Sequence, residues 1–571
     1  MAPCADAAAP AARPHHPGIA LSVRTDPSTA PSGPPGTPPA GALAPLRRPV
    51  FRAMWIAIFI STLGGWMHEV GAGWLMASLE PDPFMVALVQ AAVVLPGFFL
   101  ALPAGALADI IDRRIYLLSV MSWLVLVTGL LGVLTLLGLV DARLLLLLTF
   151  GMGVGIAMML PAFNAVIPDL VPRHELTAAL TLNNIAANST RALGPMLAGF
   201  LIALAGPAVV FLYNSVSYLA LMAVLIPWRN TQPRSALPSE RFFGAMRTGL
   251  KFAAQSPALK VVLLKAVAFF VMASPLWAFL PLIVKEQLGA GPQTFGALFG
   301  AAGLGAVLGG LNLTRLRRRF SGDQIVAAAT FAMIFGLSGL ALLPNAYSLA
   351  GAMLIAGAAW VCVVSTLQVS AQLALPHWVR ARGIALFLTT FMGSMAFGAA
   401  AWGRLASVTS IPTALFCACA FGLVAWLLTA RLTLARHAGE DRSPTDPTPD
   451  PLLDAPVALD RGPVMVEISY RVEPQHAQAF QRAMRDMRRM RLRNGALSWN
   501  LFQDAADQHL WMEVFVDETW LSHLRQHHRL TVEDRAIKAR AESFHEGASP
   551  PPTRHMVARN PSKRRRRWQL F

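Results

Sequence analysis

Charge is scarce in this 571-residue chain. Asp, Glu, Lys and Arg make up 14% of it, where a soluble globular protein has about a quarter. With 55% hydrophobic residues and a mean hydropathy of +0.49, that shortage excludes a soluble multidomain enzyme, a coiled coil and a wholly disordered chain. Cysteine is nearly absent: Cys362, Cys417 and Cys419 lie in apolar runs and Cys4 in the N-terminal tail. Neither a disulfide framework nor a zinc site is expected from them. No G-x4-G-K-[ST] phosphate loop occurs, which points away from nucleotide-driven work. No apolar stretch precedes Val50, so no signal peptide is expected. Residues 1–47, rich in Ala, Pro and Gly, read as a disordered tail. Lysine is rare among the 48 basic residues, numbering six; with the abundance of Ala, Pro and Arg this hints at a GC-rich bacterial source.

What the chain has is long apolar runs. A bilayer core takes roughly 20 apolar helical residues to cross, and lipid forces the backbone to close its hydrogen bonds within each segment. Twelve spans are expected, near 50–75, 84–107, 115–139, 144–168, 176–204, 208–227, 259–283, 293–313, 324–343, 348–373, 384–406 and 411–434. A polar connector, 228–258, divides them into a first half (48–227) and a second (259–436), a layout of many membrane carriers. The fold class expected is an all-α membrane protein of two six-helix halves. The breaks after spans 2, 4, 6, 8 and 10 carry Arg113, Arg114, Arg173, the connector arginines, Arg315, Arg317, Arg318, Arg319, Arg380 and Arg382. Those loops should be cytoplasmic and both termini inside. The net charge of +17 is then loop charge rather than a nucleic-acid surface.

A linker, 437–462, holds the run SPTDPTPDP, an extended spacer. Residues 463–560 then read as strand, helix, two hairpin strands, helix and a short strand near Met556. This β-α-β-β-α-β order is a ferredoxin-like α+β pattern, small enough to need a partner for its sheet. A basic tail, 561–571, with Arg564 to Arg567, is either a lipid contact or an end with no fixed partner.

The break after span 2 reads Gly105-Ala-Leu-Ala-Asp109-Ile-Ile-Asp112-Arg113-Arg114-Ile-Tyr-Leu117. Glycine there lets helices approach closely, and a carboxylate at a poorly hydrated helix end needs a cation. An Asp109–Arg113 pair formed on closure of that side would act as a latch; for Arg114 an ordinary charged loop is the better reading. The segment resembles the loop motif G-x-L-A-D-R-x-G-R-K-x-x-L of the major facilitator superfamily. Gly105, Leu107, Ala108, Asp109, Arg113, Arg114 and Leu117 match in register; Ile110 and Asp112 depart. The resemblance implies a cytoplasmic gate containing Gly105, Asp109 and Arg113. The equivalent loop of the second half has Gly309, Gly310 and its arginines but no matching acid.

Span 5 carries Asn183, Asn184, Asn188 and Arg191, then Gly194, Pro195 and Gly199. An arginine in an apolar helix costs about 3 kcal/mol on insertion scales unless it faces a cavity or partner. Asn184, Asn188 and Arg191 share one helical face, so either a polar path or a kinked packing helix fits. Gly194, Pro195 and Gly199 permit the bend and close packing. The Gly-Pro step resembles the antiporter signature of exporters in that superfamily. Together with Tyr213, Asn214, Ser217 and Tyr218 of span 6, the loop from Pro376 to Gly383, and Gly393, Ser394, Gly398, Trp402 and Gly403 of span 11, it resembles the enterobactin-exporter-like branch, the transmembrane secretion effectors. That resemblance covers about 48–436. It implies proton-coupled efflux of a small molecule (siderophore, drug or metabolite) across the bacterial inner membrane by alternating access, with no cofactor.

The other candidates for a substrate or proton path are Glu69, Asn164, Asn214, Gln368 and Gln372. Glu69 and His68 read either as proton carriers or as groups in interfacial water. The Asn and Gln residues read as ligand contacts or as interhelical hydrogen bonds. Lys265 is expected to snorkel to the cytoplasm. In the tail domain, Val466 to Val472, Trp499, Asn500, Trp511, Glu513, Phe515, Trp520, His523 and His527 resemble antibiotic-biosynthesis-monooxygenase-like dimeric α+β barrels, which implies dimerisation through this domain. Trp499 and Asn500, adjacent on a strand, face opposite sides, which weighs against an oxygenase. His523 and His527 lack a third ligand, so no metal is expected. The chain is read as a carrier rather than an enzyme, with a fused carrier-enzyme or a non-transporting sensor as the alternatives.

Overall fold

The structure is a computed structural model that describes residues 43–166, 170–227, 255–376, 379–434, 457–547 and 549–558. The first half contains α1 (Pro49–Leu79), α2 (Pro83–Ile110), α3 (Arg113–Leu136), α4 (Ala142–Val166), α5 (Leu176–Ala205) and α6 (Ala208–Leu225). The second contains α7 (Pro257–Ala273), α8 (Pro275–Leu282), α9 (Pro292–Arg319), α10 (Gly322–Leu342), α11 (Ala346–Leu373), α12 (Arg380–Val408) and α13 (Ile411–Thr429). Eleven segments among the described residues are long and apolar enough to cross a membrane, α7, α8 and the π-turn Ile283–Gln287 counting as one. Twelve were expected; α5, 30 residues long, does not meet the test because Asn183, Asn184, Asn188 and Arg191 dilute its apolar content.

Polar caps set where the helices begin. Asp112 stands where the family motif has glycine, and its carboxylate accepts from the Arg114 and Ile115 amides at the start of α3. Arg114 donates to the Ile226 carbonyl at the end of α6, satisfying a terminal acceptor. Ser321 and Gln324 form a capping box at α10, and Asn345 and Ser410 cap α11 and α13. Pro275 has no amide hydrogen for the helix ladder, and there α7 ends and α8 begins. Exposed Leu126, Leu147, Phe200, Phe397 and Leu428 are side chains suited to lipid contact. Ahead of α1, Arg48 forks onto Glu175 at 2.9 and 3.2 Å. That hydrogen bonding holds the Glu175 carboxyl below the usual carboxylate range.

The halves pack on each other through α2 against α12 and α5 against α9. After the last span comes a four-stranded antiparallel sheet ordered β2-β3-β1-β4. Its strands are β1 (Val464–Arg471), β2 (Ser498–Gln503), β3 (Leu510–Asp517) and β4 (Thr553–Val557). Helix α14 (Ala477–Asn494) follows β1 and ends at Gly495, whose φ is 123°. The second helix of the expected pattern is split into α15 (Trp520–Arg529) and α16 (Val532–Glu542), because Thr531 starts a new capping box with Asp534. Val464, Val466, Ile468 and Tyr470 alternate inward to meet Phe480, Met484 and Met487 of α14.

Candidate functional site

A small, partly open cleft lies between the halves, lined by Glu69 of α1, Gln90 of α2, Trp277 of α8, and Phe295 and Phe299 of α9. Trp66 lies one turn before Glu69, on the same face of α1. The Arg191 guanidinium of α5 sits 5.4 Å from the Trp66 ring centre, a cation–π distance. Gly194 brings the two helices this close: a Cβ there would lie 2.6 Å from the Trp66 Cβ. Arg191 Nε is buried with no hydrogen-bond partner. Glu69 lines the cleft, while Arg191 is not among the residues that line it. Their environment is otherwise aromatic: Trp66 meets Phe299 edge-on at 6.2 Å, and Phe299 lies 4.9 Å from Trp277.

Cross-half contacts close the end of this cavity remote from the basic loops. Trp74 stacks on Phe295 at 6.0 Å, and Lys285 Nζ donates to the Ala77 carbonyl at 2.8 Å. Gly199 of α5 lies against Gly296 of α9, where a Cβ would sit 2.4 Å from the Pro292 carbonyl. Gly300 meets Met196, and Gly303 meets Ala192. Gly305 and Gly309, nearer the basic end of α9, lie against α11 of their own half. The named contacts of α5 with α9 therefore run from the closed end to the middle of the bundle.

The other candidates are distributed differently. Asn184 is exposed on α5, and Asn188 donates to its carbonyl at 2.9 Å. Asn214 is fully buried, touching Gly64 of α1 and placing Nδ2 3.9 Å from Met152 Sδ of α4; it sits in a helix interface, away from the cavity. Gln368 and Gln372 are half-buried on α11. Pro195 packs its carbonyl on Gly296. The surroundings of Gly105, Asp109 and Asn164, together with the connector and the terminal arginines, lie outside the described residues; Arg113 opens α3 and has a partner. His68 is fully buried with its ring 4.7 Å from Phe211 of α6. It lies on the face away from Glu69's cavity, so the reading that both sit in interfacial water is not met.

One reading needs correction. Lys265 does not snorkel: it is 7% exposed and its Nζ lies 2.9 Å from Asp323 Oδ1. Asp323 also accepts from the Leu434 amide at 2.9 Å. An acid thus stands at the start of α10, while the end of α9, where the motif would place one, has none. A partner 58 residues away leaves no local sequence signal. Replacing Lys265 with methionine removes the ion pair while leaving Asp323 its Leu434 amide, and is expected to cost roughly 1–3 kcal/mol. Thermal unfolding of the purified protein checks it, and an unchanged midpoint contradicts the pair.

The tail domain has a polar interior. Glu513, fully buried on β3, accepts from Arg491 Nε at 3.0 Å, Trp499 Nε1 at 2.9 Å and the Tyr470 hydroxyl at 3.1 Å. Burial, with the Glu513 charge second, drives the Tyr470 hydroxyl well above its ordinary value. Trp499 faces the helices while Asn500 is exposed on the other side. Asp517, also buried, holds His523 Nδ1 at 3.0 Å and takes a hydrogen bond from Gln526. His555 of β4 lies 4.9 Å from the His523 ring; burial, with His523 second, pulls its pKa below the imidazole norm. As pH falls through about 6.5 the unfolded chain takes up that proton first. The stabilisation is complete above that pH and lost below it. Hydrogen exchange at β4 in the whole protein is expected to lose protection between pH 7.5 and 5.5, and His555→Gln to remove the change. Equal protection at both pH values contradicts it. Among the described residues no three His, Cys, Asp or Glu side chains converge to hold a metal.

The sequence matches the family described as transmembrane secretion effectors over residues 40–563, a stretch that includes the tail domain. It is 26% identical over 170 residues to a staphyloferrin A transporter of Staphylococcus aureus (strain NCTC 8325 / PS 47), covering 30% of this chain and 43% of that protein. It is 26% identical over 310 residues to the MFS-type transporter YfiS of Bacillus subtilis (strain 168), covering 51% of this chain and 73% of that protein. In fold it is similar to the nucleoside transporter NupG, with a TM-score of 0.57 at 12% identity, over 67% of this chain and 99% of that one.

Proposed function

From its membership of the transmembrane secretion effector family of the major facilitator superfamily, we propose that this membrane transporter exports a small molecule by alternating access in exchange for protons. The observation that carries the reading is the placement of Glu69 of the first half in a cleft walled on its other side by Trp277, Phe295 and Phe299 of the second half, with Arg191 over Trp66 one turn away on α1. A site at the seam of two rocking halves is exposed to one side at a time. Glu69 is the group we assign to the proton. Asn184, Asn188, Gln368 and Gln372 form the rest of the polar path. Gly194, Pro195 and Gly199 set the packing of α5, the twelfth crossing. Asp109 and Arg113 close the opposite, basic end, which we place in the cytoplasm with both termini. The staphyloferrin A transporter among its relatives supports a siderophore or similar metabolite as cargo.

We read the tail domain's β2-β3-β1-β4 order as ferredoxin-like. Its sheet face away from the helices, where Phe502 and Met556 are 53% and 38% exposed, is the dimer contact we assign. The test of transport is metabolite profiling of medium from bacteria with and without the protein, followed by counterflow of any depleted compound in proteoliposomes. Export and counterflow support the reading. Binding without counterflow makes the protein a sensor.

A further inference from the structure

Helix α14 of the tail domain is divided between an apolar face and a basic one. Phe480, Met484, Met487 and Met490 are buried in the domain core. The exposed positions on the other side are Gln478, Gln481, Arg482, Arg485, Arg488 and Arg489, with no acid among them. Arg489 lies 3.6 Å from Asp486, both of them well exposed. Among the described residues Arg482, Arg485 and Arg488 have no ion-pair partner. The remaining arginines of the helix, Arg491 and Arg493, turn inward onto Glu513 and Asp534. Packing of the domain therefore accounts for those two and leaves the exposed four without a structural task. The patch is confined to α14: on α16 beside it, the basic side chains are matched in number by Glu533, Asp534 and Glu542.

The point of attachment says what such a face meets. The last span gives way at Leu434, whose amide is held by Asp323 at 2.9 Å. Asp323 stands at the start of α10, directly after Arg317, Arg318 and Arg319 end α9. The tail domain is thus tethered at the end of the bundle that carries the basic loops. Residues 435–463, which join Leu434 to β1, reach about 100 Å at full extension, so the domain stays beside the bilayer surface at that end. Basic loops mark the leaflet whose headgroups are anionic. Guanidinium groups fork onto phosphate oxygens. The apolar face of α14 is already covered by its own domain, so the contact is one of charge at the headgroups and not insertion. The sheet face assigned to dimerisation lies on the other side of the domain, and the two surfaces do not compete.

We propose that the exposed arginine face of α14 docks the tail domain onto anionic phospholipid headgroups at the end of the bundle where the basic loops lie. This rests on the orientation given above only in calling that leaflet cytoplasmic.

The test uses single full-length chains without the four native cysteines, in nanodiscs of phosphatidylcholine alone or with one-third phosphatidylglycerol, and an acceptor dye on a trace of the headgroups. A donor dye is carried at Gln481→Cys on the arginine face or at Asn500→Cys on the sheet face away from the helices. Energy transfer from position 481 is expected to be strong in the anionic discs at about 0.1 M salt and weak at about 1 M, where the screening length falls to about 3 Å. Transfer is expected to be weak in the zwitterionic discs, and weak from position 500 in both. An arginine near such a surface contributes a factor of about five, so Arg482→Gln combined with Arg485→Gln is expected to lower the ratio of docked to undocked domain about 25-fold. Both side chains are exposed, so the fold is not at stake. Equal transfer in the two kinds of disc, or an anionic response that survives both substitutions, overturns the proposal. Stronger transfer from position 500 than from 481 overturns it by turning the sheet to the membrane. No transfer in either disc overturns it as well, and a short single-stranded RNA held by the unmodified chain but not by the double variant would then assign the face to nucleic acid. Discs expose both leaflets, so none of these outcomes depends on the direction of insertion or on transport.

Discussion

Replacing Arg191 with glutamine is expected to lower export by about 100-fold or more while leaving the folded protein as stable as before, or slightly more so. A guanidinium in a membrane helix costs about 3 kcal/mol on insertion scales, and here it recovers little of that: Nε has no acceptor, and its close neighbour is the Trp66 ring at 5.4 Å. A cation–π contact at such a site returns about 0.5–2 kcal/mol. The fold therefore gains little from the charge, which is the pattern of a residue kept for function at some cost in stability. A packing arginine would behave oppositely, losing stability first and export in proportion. Thermal unfolding and the appearance of the exported compound in the medium, measured on the same preparation, separate the two. Normal export, or a lowered unfolding midpoint with proportionate loss of export, would assign Arg191 to structure.

Gly199→Val is expected to favour the state open at the end remote from the basic loops. A Cβ at this position would sit 2.4 Å from the Pro292 carbonyl and 3.0 Å from the Gly296 Cα. Both are backbone atoms, so the clash is relieved only by moving α5 from α9, which separates the halves. Overpacking of this kind costs about 1–3 kcal/mol, equivalent to roughly a 5- to 150-fold change in the balance of two states. Trp74, stacked on Phe295 beyond the cavity, reports the change. In a background without the four native cysteines, Trp74→Cys should be shielded from a membrane-impermeant thiol reagent. Adding Gly199→Val should expose it. Continued shielding would mean that the Gly199–Gly296 contact does not govern closure.

Much of the architecture was legible in the chain because its causes are local. Apolar runs report spans since a lipid-exposed backbone must close its own hydrogen bonds. The β-α-β-β-α-β order of the tail could be read from alternation in Val464 to Arg471 and from Gly495 after α14. The polar content of α5 was visible as well, and it is what separates that helix from the eleven that pass the composition test. The division of labour among polar residues was not. Asn214 and Glu69 look alike as polar residues in apolar spans, yet Asn214 is sealed between α1, α4 and α6 while Glu69 lines the cavity. Lys265 looked able to reach water because Asp323 is distant in sequence.

The sequence by itself determined that this protein crosses a membrane through helical spans in two halves, with basic loops at one end and an α+β domain after the last span. Each of those properties is set within one turn, one span or one loop. Tertiary structure alone decided that Arg191 lies over Trp66, that Gly199 meets Gly296, and that Lys265 finds Asp323. These pairs join different helices, and a helix's own periodicity states which residues share a face without saying which neighbour that face will meet.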